Sequence, residues 1–121
     1  EMVSENMQAT LDAALLSKMN QRDQIRNCLI DGPLAFDNAI SLESARHKGI
    51  RSDVAGDTDL LLMPDIEVGN VLYKSLVFFA HAGVAAVILG ATAPIVLTSR
   101  SDSDQAKYDS IVLAAAISRK D

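Results

Sequence analysis

The sequence predicts an α/β protein in three layers, with a mostly parallel, mixed sheet covered by helices on both faces. Two observations carry that expectation. Four short apolar runs, "CLID" (28–31), "DLLLM" (59–63), "VAAVILG" (84–90) and "PIVLT" (94–98), are uninterrupted by alternating polar residues. That is the pattern of strands buried on both faces. Around them lie stretches with apolar residues three and four apart, the spacing of amphipathic helices. The resulting order is α-β-α-β-α-β-β-α.

The first helix is predicted from Thr10, which precedes an apolar stripe at Leu11, Ala14, Leu15 and Met19, with Asp12 in the first turn and Arg22 near the end. "CLID" follows as a strand ended by Gly32 and Pro33. Ser41 caps a second helix, "LESARHK", which Gly49 stops. "RSDVAGDTD" (51–59) is an exposed loop, and "DLLLM" is a strand ended by Pro64. From Glu67 to Ala82, Val68, Leu72, Leu76 and Phe79 share a stripe with Val71 and Phe78 alongside, so this helix is predicted to be broadly buried before Gly83 closes it. "VAAVILG" and "PIVLT" are separated by "ATA" alone, too short for a helical crossover, and are therefore antiparallel or parts of one bent edge. The last helix starts near Ser103 and carries Tyr108, Ile111, Val112 and Ala115. No strand precedes the first helix, which is unusual for an α/β unit, so residues 1–121 are expected to be one segment of a larger domain.

Composition excludes several function classes. The chain has 121 residues, 49% hydrophobic and 22% charged, an ordinary globular mixture of single-domain size. Net charge is −5 and aromatics are 4%, so the basic, aromatic-rich face that binds nucleic acid is missing. The one cysteine, Cys28, sits between apolar neighbours and is expected to be a small buried hydrophobe. With no disulfide and no targeting segment, the expected location is the cytoplasm. Residues 75–99 carry no Asp, Glu, Lys or Arg and imitate a membrane span, but His81, Gly83, Gly90 and Pro94 divide them, and no membrane segment is expected.

Chemistry is expected at the carboxyl ends of the strands, where the ligand crevice of an open α/β sheet lies. Three polar loops fall there: "DGPLAFDN" (31–38), "PDIEVGN" (64–70) and "TSRSDSD" (98–104). Each also has a structural explanation. Asp31-Gly32-Pro33 is a turn signal, Asp37 and Asn38 can bond local backbone, and Pro64-Asp65 before a helix is ordinary capping. In the third loop Ser101 and Asp104 have capping-box spacing, Ser103 is an alternative cap, and the free amides of the next helix suit an oxyanion or phosphate. Arg100 adds a charged fork, whereas Asp102 and Asp104 could satisfy the same amides internally. No dinucleotide, P-loop or zinc motif is present, and His47 and His81 lie near helix ends rather than in a ligand set, so no metal is expected.

Taken in order, "DGPLAFDNAI", "PDIEVGNVLYK" and "APIVLTSRSDSD" resemble the carboxyl-terminal part of the phosphate acetyl/butyryl transferase family, closest to its phosphate butyryltransferase branch. The resemblance runs from "MQATLDAALLSKM" onward. It implies a fold akin to the isocitrate and isopropylmalate dehydrogenases, a homodimer, and exchange of an acyl group between phosphate and coenzyme A. The chain alone is expected to be inactive, because Arg100 is its one clear phosphate partner.

By the same resemblance, Ser99 would bond the developing oxyanion or the thiol and Arg100 would hold phosphate or cofactor. Asp65, Gly69, Asn70 and Lys74 of the second loop and its helix, with Gly32 and Pro33 of the first loop, would contact substrate. The acetyl branch has glycine after Ser-Arg and an aspartate seven residues beyond the serine; this chain has Ser101 and Ala106 there. That leaves Asp102 or Asp104 as the possible base. With a thiol pKa of about 8.5, roughly 3% is already thiolate at pH 7, so complete deprotonation gains only about 30-fold. The alternative implied by related domains on malic enzymes is a non-catalytic acyl-coenzyme A sensor within a larger enzyme.

Overall fold

The computed structural model describes residues 1–118. Five helices are present: α1 (Gln8–Gln21), α2 (Phe36–Ile40), α3 (Leu42–His47), α4 (Ile66–Phe78) and α5 (Asp104–Ser118). The chain forms two compact units, Glu1–Pro64 and Asp65–Asp121, and each is described by itself.

In the first unit α1 begins earlier than predicted. Met7 is its N-cap without a side-chain bond, and Thr10 is buried inside the first turn. There its hydroxyl accepts the Ser4 N–H at 2.9 Å and lies 2.8 Å from the Met7 carbonyl. Thr10 therefore folds the preceding turn back onto the helix instead of capping it. At the other end, Asn20 holds the departing chain. Its amide donates to the carbonyls of Ile25 at 3.0 Å and Cys28 at 2.9 Å, and its oxygen accepts the Ile30 N–H at 3.0 Å.

The loop expected over 31–38 turns helical at Phe36, where Asp37 in the first turn of α2 suits the positive helix end. Ser41 caps α3 as predicted, accepting the Ser44 N–H at 3.2 Å, and Gly49 ends it at φ +67°. The segment expected to be an exposed loop is instead partly a packing element. Ala55 joins Ala39 and Ala45 as the buried hydrophobic residues of the described chain. Gly56 donates to the Ala39 carbonyl at 3.0 Å, and the Thr58 hydroxyl donates to the same oxygen at 2.8 Å. All three core side chains are alanines, so backbones approach closely. A Cβ on Gly56 would stand 2.5 Å from the Leu42 Cα.

In the second unit Asp65 caps α4, accepting the Val68 N–H at 2.8 Å. The helix ends at Phe78, short of the predicted Ala82, and His81 at φ +51°, not Gly83, makes the left-handed turn. The expected broad burial is not found: α4 has no buried residue, and Phe79 just beyond it is 86% exposed. Val68, Val71, Leu76 and Phe78 stay exposed, while Leu72 and Val77 are half-buried.

The predicted strands differ from expectation as well. None of the segments 28–31, 59–63, 84–90 and 94–98 forms a sheet among the described residues. They run extended, and one antiparallel bridge, Ile88 to Ile95, joins the last two across the "ATA" link. A strand needs a hydrogen-bonded neighbour, and the apolar composition that predicts burial cannot supply one. Leu60, Leu62, Leu89 and Leu97 are accordingly exposed. Cys28 is exposed as well, contrary to the expectation of a buried thiol. No helix among the described residues is long and apolar enough to cross a membrane.

Candidate functional site

The 98–104 loop is built by local bonds on both sides of Arg100. Asp102 donates its N–H to the Ser99 carbonyl at 3.1 Å and accepts the Ser99 N–H on Oδ2 at 2.6 Å. The loop is thereby pinched shut at its base. Ser99 Oγ lies 3.0 Å from Ser101 Oγ and accepts the Ser101 N–H at 3.3 Å. Of the two predicted caps, Ser103 serves: its Oγ accepts the Ala106 N–H at 3.1 Å. Ser101 is left to the loop, which the capping-box spacing alone did not reveal.

Asp102 also reaches outside its own loop. Tyr73, on α4, donates its hydroxyl to Asp102 Oδ1 at 3.1 Å. Both carboxylate oxygens are thus engaged, one with the loop backbone and one with a helix 29 residues earlier in sequence. Burial, followed by the bond to Asp102 and its charge, raises the Tyr73 pKa above its ordinary value. The phenol therefore stays a proton donor through the neutral range. A cleft of about 200 Å³ opens beside this contact, with Tyr73, Phe78, Gly83, Ser101, Asp102 and Ser103 among its walls.

The other candidate residues fall into groups. Lys74, half-buried, sets its Nζ 4.9 Å from the Tyr73 ring centre and 5.8 Å from that of Phe78. Such placement over ring faces favours a cation. Asn70 borders a second hollow on α4 together with Lys74 and Phe79. Gly69 donates its N–H to the Asp65 carbonyl at 3.1 Å, inside the first turn of α4. Asp65 is occupied as the cap, and Asp104 pairs with Lys107 at 3.2 Å on the surface of α5. Arg100 is exposed and has no ion-pair partner among the described residues. In the first unit Gly32 accepts no close side chain beyond Ala13, whose Cβ would lie 3.1 Å from an added Cβ, and it precedes Pro33 through a cis peptide bond. No cluster of three or more His, Cys, Asp or Glu able to hold a metal occurs among the described residues.

Sequence reasoning passed over Tyr73, treating its neighbourhood as an apolar stripe. The available signal was position: Tyr73 lies one helical turn after Gly69, on the face that begins at the cap.

A serine and an exposed arginine without an ion-pair partner among the described residues stand on a pinched loop beside a capped helix, an arrangement of donors that could receive an oxyanion or phosphate. The family described as phosphate acetyl/butaryl transferase matches residues 1–115, and the chain belongs to it. It is 56% identical over 115 residues to the phosphate acetyltransferase of Thermotoga maritima, covering 95% of this chain and 39% of that protein. It is 51% identical over 120 residues to the phosphate butyryltransferase of Clostridium beijerinckii, covering 99% of this chain and 40% of that one. A crystal structure of a branched-chain phosphotransacylase from Enterococcus faecalis superposes with a TM-score of 0.82 at 38% identity, over 95% of this chain and 41% of the other. The chain thus spans about two-fifths of the length of these relatives.

Proposed function

We propose that the protein containing this chain exchanges a short-chain acyl group between phosphate and coenzyme A, as a cytoplasmic homodimer with the three-layer α/β/α fold. The observation that carries this reading is Arg100: exposed, without an ion-pair partner among the described residues, and adjacent to Ser99, whose backbone is held by Asp102. An exposed arginine in the loop before α5, without an ion-pair partner among the described residues, is available to a dianionic ligand.

In the proposed reaction the coenzyme A thiolate attacks the carbonyl carbon of an acyl phosphate. A C–S bond forms while the carbonyl electron pair moves onto oxygen. Collapse of that oxyanion breaks the C–O bond to phosphate, which departs with the bonding pair. Ser99 Oγ accepts the Ser101 N–H and lies 3.0 Å from Ser101 Oγ, and its proton is proposed to turn from that neighbour towards the oxyanion when substrate is bound. Arg100 neutralises the departing phosphate. Lys74, with Gly69 and Asn70, is proposed to contact the coenzyme or phosphate, and Gly32 and Pro33 are proposed as further substrate contacts. Asp102 spends both oxygens on Ser99 and Tyr73, and Asp104 is paired with Lys107. These contacts favour water or the phosphate over Asp102 and Asp104 as acceptor of the thiol proton. No metal enters this scheme.

The experiment is a rate measurement on the intact protein with acetyl, butyryl and branched acyl phosphates plus coenzyme A, following thioester formation, in parallel with Arg100→Ala. Thioester formation that falls about 100-fold or more in the variant supports the reading. Wild-type turnover by the variant removes Arg100 from the site.

A further inference from the structure

The contact between Tyr73 and Asp102 has a role that neither residue type announces. We propose that Tyr73 and Asp102 together form a positioning pair that sets the Ser99-Arg100 loop for catalysis, so that the first turns of α4 act on the reacting centre through the loop backbone rather than through a side chain that touches substrate. The inference rests on the proposed acyl transfer, because it gives a role to residues that support Ser99 and Arg100.

Three observations carry it. Asp102 Oδ2 accepts the Ser99 N–H at 2.6 Å, the shorter of the two bonds to this carboxylate. A carboxylate accepting a backbone N–H is a charge-assisted contact and fixes the peptide plane. That plane precedes the Ser99 side chain, so its orientation aims Oγ. Asp102 Oδ1 accepts from Tyr73 at 3.1 Å, and Tyr73 is half-buried on a regular helix. The carboxylate therefore cannot rotate without losing one bond or the other. Finally, the Asp102 N–H returns to the Ser99 carbonyl at 3.1 Å, so the same residue holds both peptide groups that flank the Ser99 Cα, the second of which leads into Arg100.

The elevated pKa of Tyr73 is consistent with the geometry: its phenol remains a donor across the pH range in which the enzyme would work. A loop clamped at its base and free at its crest suits a residue that must meet a transition state. Misplacement of a reacting group by about 1 Å can cost about 100-fold in rate, and removal of one support is expected to cost less than that.

The test uses the intact protein and the variants Tyr73→Phe, Asp102→Asn, Asp102→Ala and the double variant Tyr73→Phe with Asp102→Ala. Tyr73→Phe should lower kcat about tenfold while KM for coenzyme A stays within about twofold, the signature of an interaction expressed in the transition state. Asp102→Asn keeps an acceptor for one of the two donors and should recover part of the activity lost in Asp102→Ala. In the double variant the Tyr73 change should add nothing to the loss from Asp102→Ala, because the pair acts as one support. A wild-type kcat for Tyr73→Phe, or fully additive losses, overturns the inference.

A second measurement does not need turnover. Hydrogen exchange at the Ser99 amide should be slow in the wild-type protein and faster in both Tyr73→Phe and Asp102→Ala. Unchanged exchange in Tyr73→Phe likewise overturns the inference. Arg100→Ala separates the two levels. If that variant loses activity while Tyr73→Phe does not, only the positioning pair fails. If it turns over like the wild type, the acyl-transfer site itself fails, and the amide exchange still decides whether Tyr73 holds the loop.

Discussion

Ser110, on α5, accepts the Ala86 N–H on its hydroxyl at 2.9 Å and is 1% exposed. The same hydroxyl donates to the Ala106 carbonyl at 2.7 Å, the residue one turn earlier. A buried hydroxyl inside a helix is ordinarily a mild liability, because it competes for the backbone carbonyl of the preceding turn. Here it ties the extended 84–88 segment to α5 within the second unit. Ser110→Ala should remove about 1 kcal/mol of stability. The sharper readout is the Ala86 amide, whose hydrogen exchange should accelerate in Ser110→Ala. Exchange at the wild-type rate would show that the bond does not hold that segment.

Two glycines separate backbone strain from steric exclusion. Gly56 adopts φ +87° and lies against Leu42, whereas Gly49 adopts φ +67° with nothing within 4 Å of an added Cβ. Gly49→Ala should cost about 1–2 kcal/mol, the penalty for an L-residue in the left-handed region. Gly56→Ala carries the same penalty plus about 1–3 kcal/mol of overpacking against a backbone atom. Thermal melts of the two variants of the intact protein should therefore place Gly56→Ala clearly lower. Equal melting temperatures would mean that α3 shifts away from residue 56 without cost.

The features legible in the sequence are those whose partner lies three or four residues away. Ser41, Asp65 and Ser103 cap their helices because each cap closes within three residues. Gly49 ends α3 for the same local reason. The four apolar runs predicted a sheet, but a sheet is a relation between segments, and among the described residues only Ile88 and Ile95 find each other. Thr10 looked like a cap because caps and buried turn-formers use the same hydroxyl chemistry. In the candidate site, Ser99 and Arg100 are neighbours in sequence and stand out through the family resemblance, whereas Tyr73 does not, because its bond to Asp102 crosses 29 residues.

Asp37 should report an acid-sensitive contact in the first unit. The Ser44 hydroxyl, followed by Lys48 with its Nζ 3.0 Å from Oδ2, lowers the carboxyl from 3.8 to about 2. The folded value lies below the unfolded one, so the stability this group contributes is present above 3.8 and is lost as pH falls towards about 2. A carboxyl-carbon NMR titration should place the Asp37 midpoint near 2, and Ser44→Ala should move it upwards. A wild-type midpoint at the ordinary aspartate value would contradict the contact.

Asn38 is wholly buried, and neither polar atom of its side chain has a hydrogen-bond partner among the described residues. Leaving a buried polar group unpaired costs about 1–3 kcal/mol. Asn38→Ala removes that liability, so the variant should melt at or above the wild-type temperature. A drop of several degrees would indicate that the amide is satisfied in solution.

Arg100 is the residue on which the proposed acyl transfer turns. It is exposed and lacks an ion-pair partner among the described residues, so Arg100→Ala should leave folding within about 0.5 kcal/mol of the wild type. The decisive measurement is kcat for thioester formation from butyryl phosphate and coenzyme A by the intact protein and by this variant, alongside coenzyme A binding by calorimetry. Acyl transfer by the wild type and a loss of about 100-fold or more in a folded Arg100→Ala is the predicted result. Coenzyme A binding without any turnover by the wild-type protein would contradict it and would place the chain in a sensor rather than a transferase.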